Sequence, residues 1–401
     1  MTPDAARVVL VTHSTKPRGG FVHTLGLAEA LHRQGHPVHL VALGDPSTGL
    51  FRPTDVPHTV LPGPTKTGTT LDERVFAAID TLEAGLAELP GRVDVLHAQD
   101  CIAARAAARV RDAGRPVTVV RTVHHVDDFT TRALVDCQRA AIREPDVVLV
   151  VSEQWRGILR DEYGRTAEVV PNGVDLTRFP APAEAARLAL RERIGAGPDA
   201  ARGRFVLLAV GGIEPRKGTL HAFRALGRLK AEGLDPVLAI VGGHSFQDYT
   251  AYRDAALAAL PGLGLTLGED VVQLGTVSDA ELAGWYHAAD ALSFPSVKEG
   301  WGLVVLEALA VGLPVVASDL PVFREYLTDG RSALLPAVAD EVALAAAMRR
   351  IVTDGRLRAR LVAGGREILP RYTWEASAAR HQAVYAGVGR RRRSAESLTT
   401  F

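Results

Sequence analysis

Short apolar runs alternate with helix-forming segments along most of the chain, and this alternation is what most limits the fold. In the first half, the segments between the runs have the residue types and spacing of helices. Strands are predicted at 8–11, 38–43, 93–97, 117–120, 147–151 and 168–170. Strands that alternate with helices form a parallel sheet covered on both faces, which binds ligands beyond the carboxyl ends of its strands. The pattern therefore predicts a doubly wound α/β domain.

The same pattern restarts after a stretch rich in alanine, proline and glycine. Strands are predicted at 205–210, 237–241, 271–274, 291–294 and 315–317, although the two halves share no repeated sequence signature. With 401 residues the chain is long enough for two domains with separate cores. We therefore expect an α/β protein of two Rossmann-like, doubly wound parallel-sheet domains. They are predicted at 1–180 and 204–370, with a connection at 181–203.

The composition and the chain start exclude several classes of protein. The chain carries 46 basic and 46 acidic residues, so a broad basic face for nucleic acid is not expected. The start lacks the basic region and apolar segment of a signal peptide, and no stretch approaches the ~20 apolar residues of a membrane span. We expect a cytoplasmic protein, with peripheral contact to a membrane through a surface helix still open. A basic polar tail, 390–401, is expected to be solvated.

A segment at 293–319 combines a strand end, a glycine-rich turn and a short helix with two glutamates. Glu299 lies just before the predicted helix, and Glu307 lies inside it. The turn and the helix start consist of Gly300, Trp301, Gly302 and Leu303. Free N–H groups at a helix start attract a phosphate, and glycine lets the phosphate approach the backbone closely. One carboxylate would then contact a group beside the phosphate and the other a group further along the ligand, although two solvated glutamates fit the spacing equally well.

A second loop, 211–218, follows the first predicted strand of the second half and contains Arg216 and Lys217. Because the carboxyl ends of parallel strands meet at one edge of the sheet, we expect these cations at the same edge as Glu299. Two fixed cations can neutralise a diphosphate. The alternative, two solvated cations at a helix start, is disfavoured because cations stabilise helix C-termini.

Two positions in the first half also follow predicted strands. Gly19 and Gly20 precede the first helix, where they would admit a ligand or simply form a flexible turn; no Gly-x-Gly-x-x-Gly of a dinucleotide-binding turn occurs there. His124 can bond a sugar hydroxyl, act as an acid or base, or be an ordinary structural histidine. A cation bound by His124, His125 and the aspartates at 127 and 128 is a weaker alternative. Together the post-strand positions suggest a cleft between two domains, with an anion held by the second and a partner presented by the first.

With these residues in place, the chain resembles glycosyltransferases of the two-domain GT-B fold. It is most similar to the retaining, nucleotide-sugar-dependent family 4, which includes glycogen synthases, sucrose synthases and bacterial mannosyltransferases. The resemblance covers most of the chain and rests on the glycines at 19–20, PNGVD at 171–175, EPRKG at 214–218, PSVKEGWG at 295–302 and EA at 307–308. Its most specific motif is the Glu-x7-Glu pattern from Glu299 to Glu307. It also implies that a last helix, 371–389, returns to the first domain.

For the second domain, the resemblance implies a role for each candidate residue. Glu299 would contact hydroxyls of the donor sugar, and Glu307 would bind the ribose of the nucleotide. Arg216 and Lys217 match the basic pair that holds the leaving diphosphate, and the amides of 300–303 would complete that site. Breaking the bond to the diphosphate puts negative charge on the leaving group, which fixed cations and helix amides stabilise.

For the first domain, the resemblance implies that Gly19 and Gly20 close on the phosphate or sugar and that His124 lies beside the donor sugar. Two positions depart from the family pattern. Gly212 stands where members commonly have arginine, and His125 stands where they often have aspartate. The arginine of the basic loop and the aspartates that follow His125 are the candidates to supply the missing charges.

The reaction implied is transfer of a sugar from a nucleotide-diphosphate sugar to an acceptor, with retention of the anomeric configuration. No Asp-x-Asp occurs, so neither a catalytic metal nor another cofactor is expected. A non-catalytic sugar-nucleotide sensor and an epimerase on the same fold are the alternatives. Contacts to the acceptor are expected from loops at 51–70 and 126–132. The sequence leaves the donor sugar, the base and the acceptor open; the acceptor classes considered are a sugar, a lipid-linked glycan and a small metabolite.

Overall fold

The computed structural model describes residues 5–64, 70–197, 203–243 and 249–398, with side chains up to residue 388. The chain divides into two compact units. The first unit comprises the residues up to Gly173 together with those from Thr373 onward, and the second extends from Val174 to Tyr372. The N–H of Val174 donates to the carbonyl of Tyr372 at 2.8 Å. Residues 174–180, which the sequence-based prediction places in the first domain, therefore belong to the second unit.

Within its described residues, the first unit contains a seven-stranded parallel sheet. The strands are β1 (Val8–Thr12), β2 (Val38–Gly44), β3 (His58–Pro62), β4 (Val95–Ala98), β5 (Thr118–Val123), β6 (Val147–Val150) and β7 (Glu168–Val169). Their order is β3-β2-β1-β4-β5-β6-β7, and Val8 is opposite both Val38 and Val95. All of β1 is buried, because a central strand of a parallel sheet is covered on both faces.

Strand β3 is absent from the sequence-based prediction, which expects an acceptor-binding loop at 51–70. Among the described strands, β3 pairs only with β2, and none of its residues is buried. A strand is recognised in a sequence by a buried or alternating apolar run. HTVLP shows neither pattern clearly. It is recognised as a strand only through its pairing with β2 in the structure. The residues at 65–69 of the predicted loop lie outside the described residues.

The first five helices of the first unit begin near the carboxyl ends of the strands. They are α1 (Gly19–Arg33), α2 (Leu71–Ala87), α3 (Cys101–Asp112), α4 (Arg132–Arg143) and α5 (Glu153–Tyr163). Asp100, Thr131 and Ser152 accept backbone N–H groups as the N-caps of α3, α4 and α5. Asp100 and Ser152 each follow a strand with one residue between, so these helix starts lie at the edge of the sheet where ligands bind in this class of fold.

The second unit contains, in its described residues, a five-stranded parallel sheet. Its strands are β8 (Val206–Val210), β9 (Val237–Val241), β10 (Val271–Gly275), β11 (Ala291–Phe294) and β12 (Val315–Ala317), in the order β10-β9-β8-β11-β12. Its helices are α6 (Glu184–Glu192), α7 (Thr219–Ala231), α8 (Thr250–Ala258), α9 (Asp279–Ala288), α10 (Leu303–Ala310), α11 (Pro321–Arg324), α12 (Glu341–Thr353) and α13 (Gly355–Ile368). The two parallel sheets with their helices confirm the predicted class of two Rossmann-like domains.

Helix α6 lies in the segment 181–203, for which the sequence analysis expects a connection between domains. The helix packs on α9 of the second unit. Arg191 is buried there and donates to the carbonyl of Ala288 at 2.7 Å and to Asp290 at 3.0 Å. Buried charges need such partners, so the described part of this segment is part of the second unit's structure.

The last helix, α14 (Trp374–Leu398), belongs to the first unit and packs on α1. Its Trp374 ring lies 5.2 Å from the ring of His23. Its buried Tyr385 hydroxyl is hydrogen-bonded to Nδ1 of His97 on β4 at 2.7 Å. Every helix in the described part of the chain, this one included, is too short or too polar to cross a membrane.

We expect Gly173→Ala to destabilise the first unit. A Cβ atom at position 173 would lie 2.3 Å from the carbonyl carbon of Thr373 and 2.3 Å from the nitrogen of Trp374. Backbone atoms cannot turn away as a side chain can, so the start of α14 would have to shift. Overpacking of this kind lowers the free energy of unfolding by about 1–3 kcal/mol, which denaturant titration would measure.

Gly157→Ala is the matched control, because it makes the same change inside α5 where a Cβ meets no atom within 4 Å. Replacing a helix-interior glycine with alanine should stabilise the protein by about 0.5–1 kcal/mol. Equal unfolding midpoints for the two variants would contradict the close contact at Gly173.

Candidate active site

Two loops of the second unit pack together at the carboxyl ends of the neighbouring strands β8 and β11. The N–H of Val297 donates to the carbonyl of Arg216 at 2.9 Å. Gly218 has φ +66°, and a Cβ atom there would lie 2.0 Å from the carbonyl oxygen of Pro295. Only glycine fits such a position. The structure therefore brings the basic loop, 211–218, and the glutamate loop, 295–302, together at one edge of the sheet.

The Glu299 carboxylate contacts both cations of the basic loop. Lys217 Nζ donates to Glu299 Oε1 at 2.8 Å, and Arg216 Nη1 donates to the same oxygen at 3.0 Å. Lys217 Nζ also lies 4.5 Å from the centre of the Phe294 ring, a cation–π distance. The Lys217 side chain is 16% exposed and that of Arg216 is 40% exposed. Lys217 is thus fixed in place, whereas Arg216 remains accessible from solvent.

The charges of this cluster depend on one another. Burial by itself would raise the pKa of Glu299, but Lys217 and Arg216 hold that pKa below its usual range. Burial lowers the pKa of Lys217, and the neighbouring Glu299 opposes that effect. A ligand anion that reached the cluster would compete with Glu299 for both cations.

Gly212 is the position where the family resemblance leads us to expect arginine. A Cβ atom at Gly212 would lie 2.6 Å from the carbonyl oxygen of Gly243 and 3.0 Å from a carboxylate oxygen of Glu214. With this backbone, a larger side chain does not fit. Arg216 is accordingly the arginine that this loop brings beside Lys217.

The start of helix α10 has the features of an anion site. Gly302 is its N-cap at φ +89°, and no side chain caps the helix. The N–H of Val305 bonds back to the carbonyl of Gly302 at 2.9 Å, so the N–H groups of Leu303 and Val304 are those without an intrahelical partner. The Trp301 side chain is buried and stacks on Tyr326, with ring centres 4.9 Å apart. Through this packing, Trp301 fixes the turn while its ring stays in the core.

Glu307, the second glutamate, lies inside α10 as predicted and is buried. Its Oε2 accepts a hydrogen bond from the Tyr286 hydroxyl at 2.7 Å. Its Oε1 lies 3.8 Å from Arg178 Nη1. Neither neighbour is predicted from the sequence: Tyr286 lies within helix α9 and not just after a strand. Arg178 does follow the PNGVD motif by a few residues, which was the one available signal.

In the first unit, His124 follows strand β5, as predicted. Its Nε2 lies 3.2 Å from the amide oxygen of Gln99, and its ring meets that of His23 edge to face at 4.4 Å. Burial and the neighbouring His125 lower the pKa of His124 to about 3. Gly19 and Gly20 form the first residues of α1, the same helix that carries His23. Helix α1 thus connects the two candidate positions of the first unit, because it begins with Gly19 and Gly20 and contacts His124 through His23.

A set of buried histidines extends from His124 into the first unit. His23 packs between His124 and Trp374, and it lies 6.2 Å from His381 between ring centres. His97 lies 5.5 Å from His381. Burial lowers the pKa of His381 to about 4 and lowers the pKa of His23 and His97 well below the usual range. These imidazoles are therefore packed in their neutral form.

Two further side chains at the strand ends were not singled out from the sequence. His13 directly follows β1, and its Nδ1 lies 3.0 Å from Asp100 Oδ2. Burial would raise the pKa of Asp100, but His13 and backbone N–H groups bring it to about 2. His13 is the first residue after β1 and Asp100 the second after the neighbouring β4, so a search of the positions just after strands would have found them. His125 Nε2 lies 3.2 Å from Asp127 Oδ1, which pairs the unexpected histidine with one of the candidate aspartates.

In the residues that the structure describes, no three histidine, cysteine, aspartate or glutamate side chains are grouped to hold a metal ion. The weaker alternative of a cation between His124, His125 and the following aspartates is therefore not formed.

Comparisons with known proteins identify the family of the chain. The family model for glycosyl transferases group 1 matches residues 191–368, and the model for glycosyltransferase family 4 matches residues 17–178. The D-inositol 3-phosphate glycosyltransferase of Xylanimonas cellulosilytica is 33% identical over 294 residues, which cover 69% of this chain and 68% of the relative. The phosphatidyl-myo-inositol mannosyltransferase of Mycolicibacterium smegmatis is 31% identical over 386 residues, which cover 93% of this chain and 91% of the relative.

Solved structures share the fold. Sucrose-phosphate synthase from Thermosynechococcus elongatus superposes with a TM-score of 0.78 at 22% identity and covers 96% of this chain and 99% of its own. Anabaena HepE in complex with UDP and glucose superposes with a TM-score of 0.77 at 20% identity. The match covers 95% of this chain and 99% of HepE. At these identities the likeness concerns the fold alone.

The fold and the family models define a GT-B glycosyltransferase. More narrowly, the chain belongs to family 4 of the glycosyltransferases. It is a retaining enzyme that transfers a sugar from a nucleotide sugar.

The buried histidines predict a loss of stability in mild acid. A histidine whose pKa is lowered by folding binds its proton more readily in the unfolded chain, so acid favours unfolding. For His381 this loss begins below the ordinary value of 6.5 and is complete below about 4. His381→Gln should reduce the slope of the free energy of unfolding against pH between these limits by at most about 1.4 kcal/mol per pH unit. Urea unfolding at a series of pH values measures the slope.

His32→Gln is the control, because His32 is exposed at the end of α1 and keeps its contact with water in the folded protein. Its slope should match that of the unchanged protein. An unchanged slope in His381→Gln would show that His381 takes up its proton without unfolding.

Proposed function

We propose that the second unit binds the diphosphate of a nucleotide-diphosphate sugar at Lys217, Arg216 and the start of α10. One observation carries the proposal: Lys217 Nζ and Arg216 Nη1 approach the same oxygen of Glu299, at 2.8 and 3.0 Å. Cations that converge on one carboxylate oxygen are spaced to converge on a phosphate oxygen. The amides at the start of α10 would add a second source of positive potential.

This arrangement suits the chemical step as well as binding. When the bond from the anomeric carbon to the diphosphate breaks, negative charge builds up on the departing phosphate oxygen. Lys217 is already fixed by Glu299 and Phe294, so it would stabilise that charge without first having to be ordered. Retention would result if the acceptor attacked from the face that the phosphate leaves, and the departing phosphate would then take the acceptor's proton.

The two glutamates would divide the rest of the donor between them. Glu299, beside the cations, would accept hydrogen bonds from hydroxyls of the transferred sugar. Glu307, inside α10, would bind the ribose. Both carboxylates are buried, at 9% and 7% exposure, and a buried carboxylate gains most from hydroxyl donors that satisfy its oxygens.

In the first unit, His124 would contact the donor sugar as a neutral hydrogen-bonding group. With a pKa of about 3, its imidazole carries one proton at neutral pH. The Gln99 amide oxygen beside Nε2 favours the proton on that nitrogen, as the amide is assigned. Nδ1 is then the acceptor for a sugar hydroxyl. Gly19 and Gly20, at the start of α1, would let the ligand approach the backbone closely.

Lys217→Ala should lower the rate of sugar transfer, or of slow donor hydrolysis, by at least about 100-fold, the usual effect of removing a group that stabilises transition-state charge. UDP-, GDP- and ADP-sugars are each incubated with the purified protein, and the release of nucleoside diphosphate is measured. Folded Lys217→Ala with normal turnover would refute the assigned role.

Lys230→Ala is the matched control. It removes another lysine of the second unit that pairs with a carboxylate, Lys230 Nζ being 2.6 Å from Asp270. Lys230 lies on α7 and plays no part in the proposed site, so turnover should stay within about twofold of normal. If donors bind to the unchanged protein but none is turned over with any acceptor, the chain is a sensor and the catalytic proposal fails.

For the acceptor, we propose an inositol phosphate or the inositol headgroup of a lipid. Relatives at 33% and 31% identity carry D-inositol 3-phosphate and phosphatidyl-myo-inositol in their names. The imidazole–carboxylate pairs His13–Asp100 and His125–Asp127 at the strand ends of the first unit offer hydrogen bonds that suit a polyol. We expect a glycosylated product, detected by mass spectrometry, with D-inositol 3-phosphate or phosphatidylinositol. Product formed only with glucose or maltose would contradict the proposal.

A further inference from the structure

The surroundings of Glu307 are more elaborate than a ribose contact by itself requires. Tyr286 donates its hydroxyl proton to Oε2 at 2.7 Å, and Arg178 Nη1 lies 3.8 Å from Oε1. Each carboxylate oxygen therefore has its own protein neighbour. The exposed fractions are 1% for Tyr286 and 17% for the Arg178 side chain, so water competes little for these contacts.

Both neighbours are held in place by contacts between the segment 174–179, which carries Arg178, and helix α9, which carries Tyr286. Arg178 Nη2 donates to Asp279 at 2.7 Å, and Asp279 stands in the first turn of α9. The Phe179 ring meets the Tyr286 ring edge to face at 5.5 Å. The His287 ring hydrogen-bonds to the carbonyl of Phe179 at 3.0 Å. Arg178 and Phe179, just after PNGVD, are thus attached to α9, and this attachment brings Arg178 to Glu307.

The chemistry of these contacts defines what they do. Burial and the Glu307 carboxylate raise the pKa of Tyr286 well above its usual range. The phenol therefore stays protonated and acts as a hydrogen-bond donor. A phenol donor on one oxygen and a guanidinium beside the other restrict rotation of the carboxylate about its last side-chain bond. A carboxylate has about four lone-pair positions, so these contacts leave acceptor capacity in a fixed direction.

We propose that Tyr286 and Arg178 are positioning residues that orient the Glu307 carboxylate toward the two ribose hydroxyls of the donor nucleotide. This inference rests on the proposed function, in which Glu307 binds the ribose. Neither residue is assigned a contact with the reacting atoms. Their loss should therefore raise the KM for the donor and leave kcat within about threefold, since uniform binding energy affects KM alone.

A purely structural role is the competing explanation, because the Tyr286–Glu307 hydrogen bond also joins α9 to α10. A structural defect would weaken the binding of every nucleotide to a similar extent. A positioning defect would weaken only the nucleotide that has ribose hydroxyls. Comparing a nucleotide with and without these hydroxyls therefore separates the two explanations.

The experiment uses the full chain and isothermal titration calorimetry. UDP, GDP and ADP are titrated first, and the tightest binder is then compared with its 2′,3′-dideoxy analogue. In Tyr286→Phe, which keeps the ring, the ribonucleotide should bind about tenfold more weakly, the usual effect of losing a hydrogen bond to a charged group. The dideoxy analogue should bind within about twofold of its normal affinity. The ratio of the dissociation constant of the dideoxy analogue to that of the ribonucleotide therefore falls.

Arg178 provides a second test that does not depend on the folding of Tyr286→Phe. Arg178→Gln should also reduce the ratio, and Arg178→Lys, which restores a positive charge beside Glu307, should recover part of it. Tyr385→Phe is the control, because it removes a buried tyrosine hydroxyl that bonds to His97 in the first unit. Its ratio should equal that of the unchanged protein.

Two results would overturn the inference, and they differ in what else they refute. If Glu307→Gln lowers the ratio but Tyr286→Phe and Arg178→Gln leave it unchanged, the positioning role is wrong and the ribose role of Glu307 stands. If the unchanged protein does not distinguish the two nucleotides, Glu307 does not bind the ribose. The proposed function then fails at that residue, and the positioning role fails with it.

Discussion

The hydrogen bonds that Lys217 and Arg216 both donate to Oε1 of Glu299 are the interaction on which the arrangement of the second unit's loops depends. The two cations come from the loop after β8, and the carboxylate comes from the loop after β11. Removing one partner from a poorly solvated ion cluster leaves a charge without compensation, which is strongly unfavourable. The loops are therefore held together by the same charges that are proposed to bind the donor, and close backbone packing at Gly218 adds a steric constraint.

The two glutamates of the Glu-x7-Glu motif lie in different surroundings, which suit the different tasks proposed for them. Glu299 has cations as its neighbours, so its charge is balanced and any ligand anion must share those cations. Glu307 has a phenol and a more distant guanidinium as neighbours. These neighbours orient the carboxylate more strongly than they neutralise its negative charge. These two environments suit the proposed ligand groups, a sugar beside a diphosphate for Glu299 and a ribose further along the nucleotide for Glu307. The motif spacing brings the carboxylates to one helix start, and the neighbours determine what each can bind.

Much of the fold followed from the sequence because its central strands are buried apolar runs, as in β1 and β9. Strand β3 did not, since an edge strand without buried residues carries little periodic signal. Helix α6 lies in a segment whose helix-forming stretches are visible in the sequence, but whose alanine-rich composition suits a linker equally well. Post-strand position found Glu299, Lys217 and His124, because that rule depends only on local order along the chain. Tyr286 lies within a helix, and only tertiary packing brings it to Glu307.

The path of the chain through the two units has a consequence for how such an enzyme can be altered. The second unit is an insertion in the first, since the chain enters it at Val174 and leaves it at Tyr372, and these two residues share a hydrogen bond of 2.8 Å. Its two ends therefore meet. A module with adjacent ends can be exchanged for another through two junctions that lie at one place in the structure, without rerouting the host backbone on either side. With the proposed donor site in the second unit, such an exchange would change the nucleotide sugar independently of the unit that carries α1 and α14.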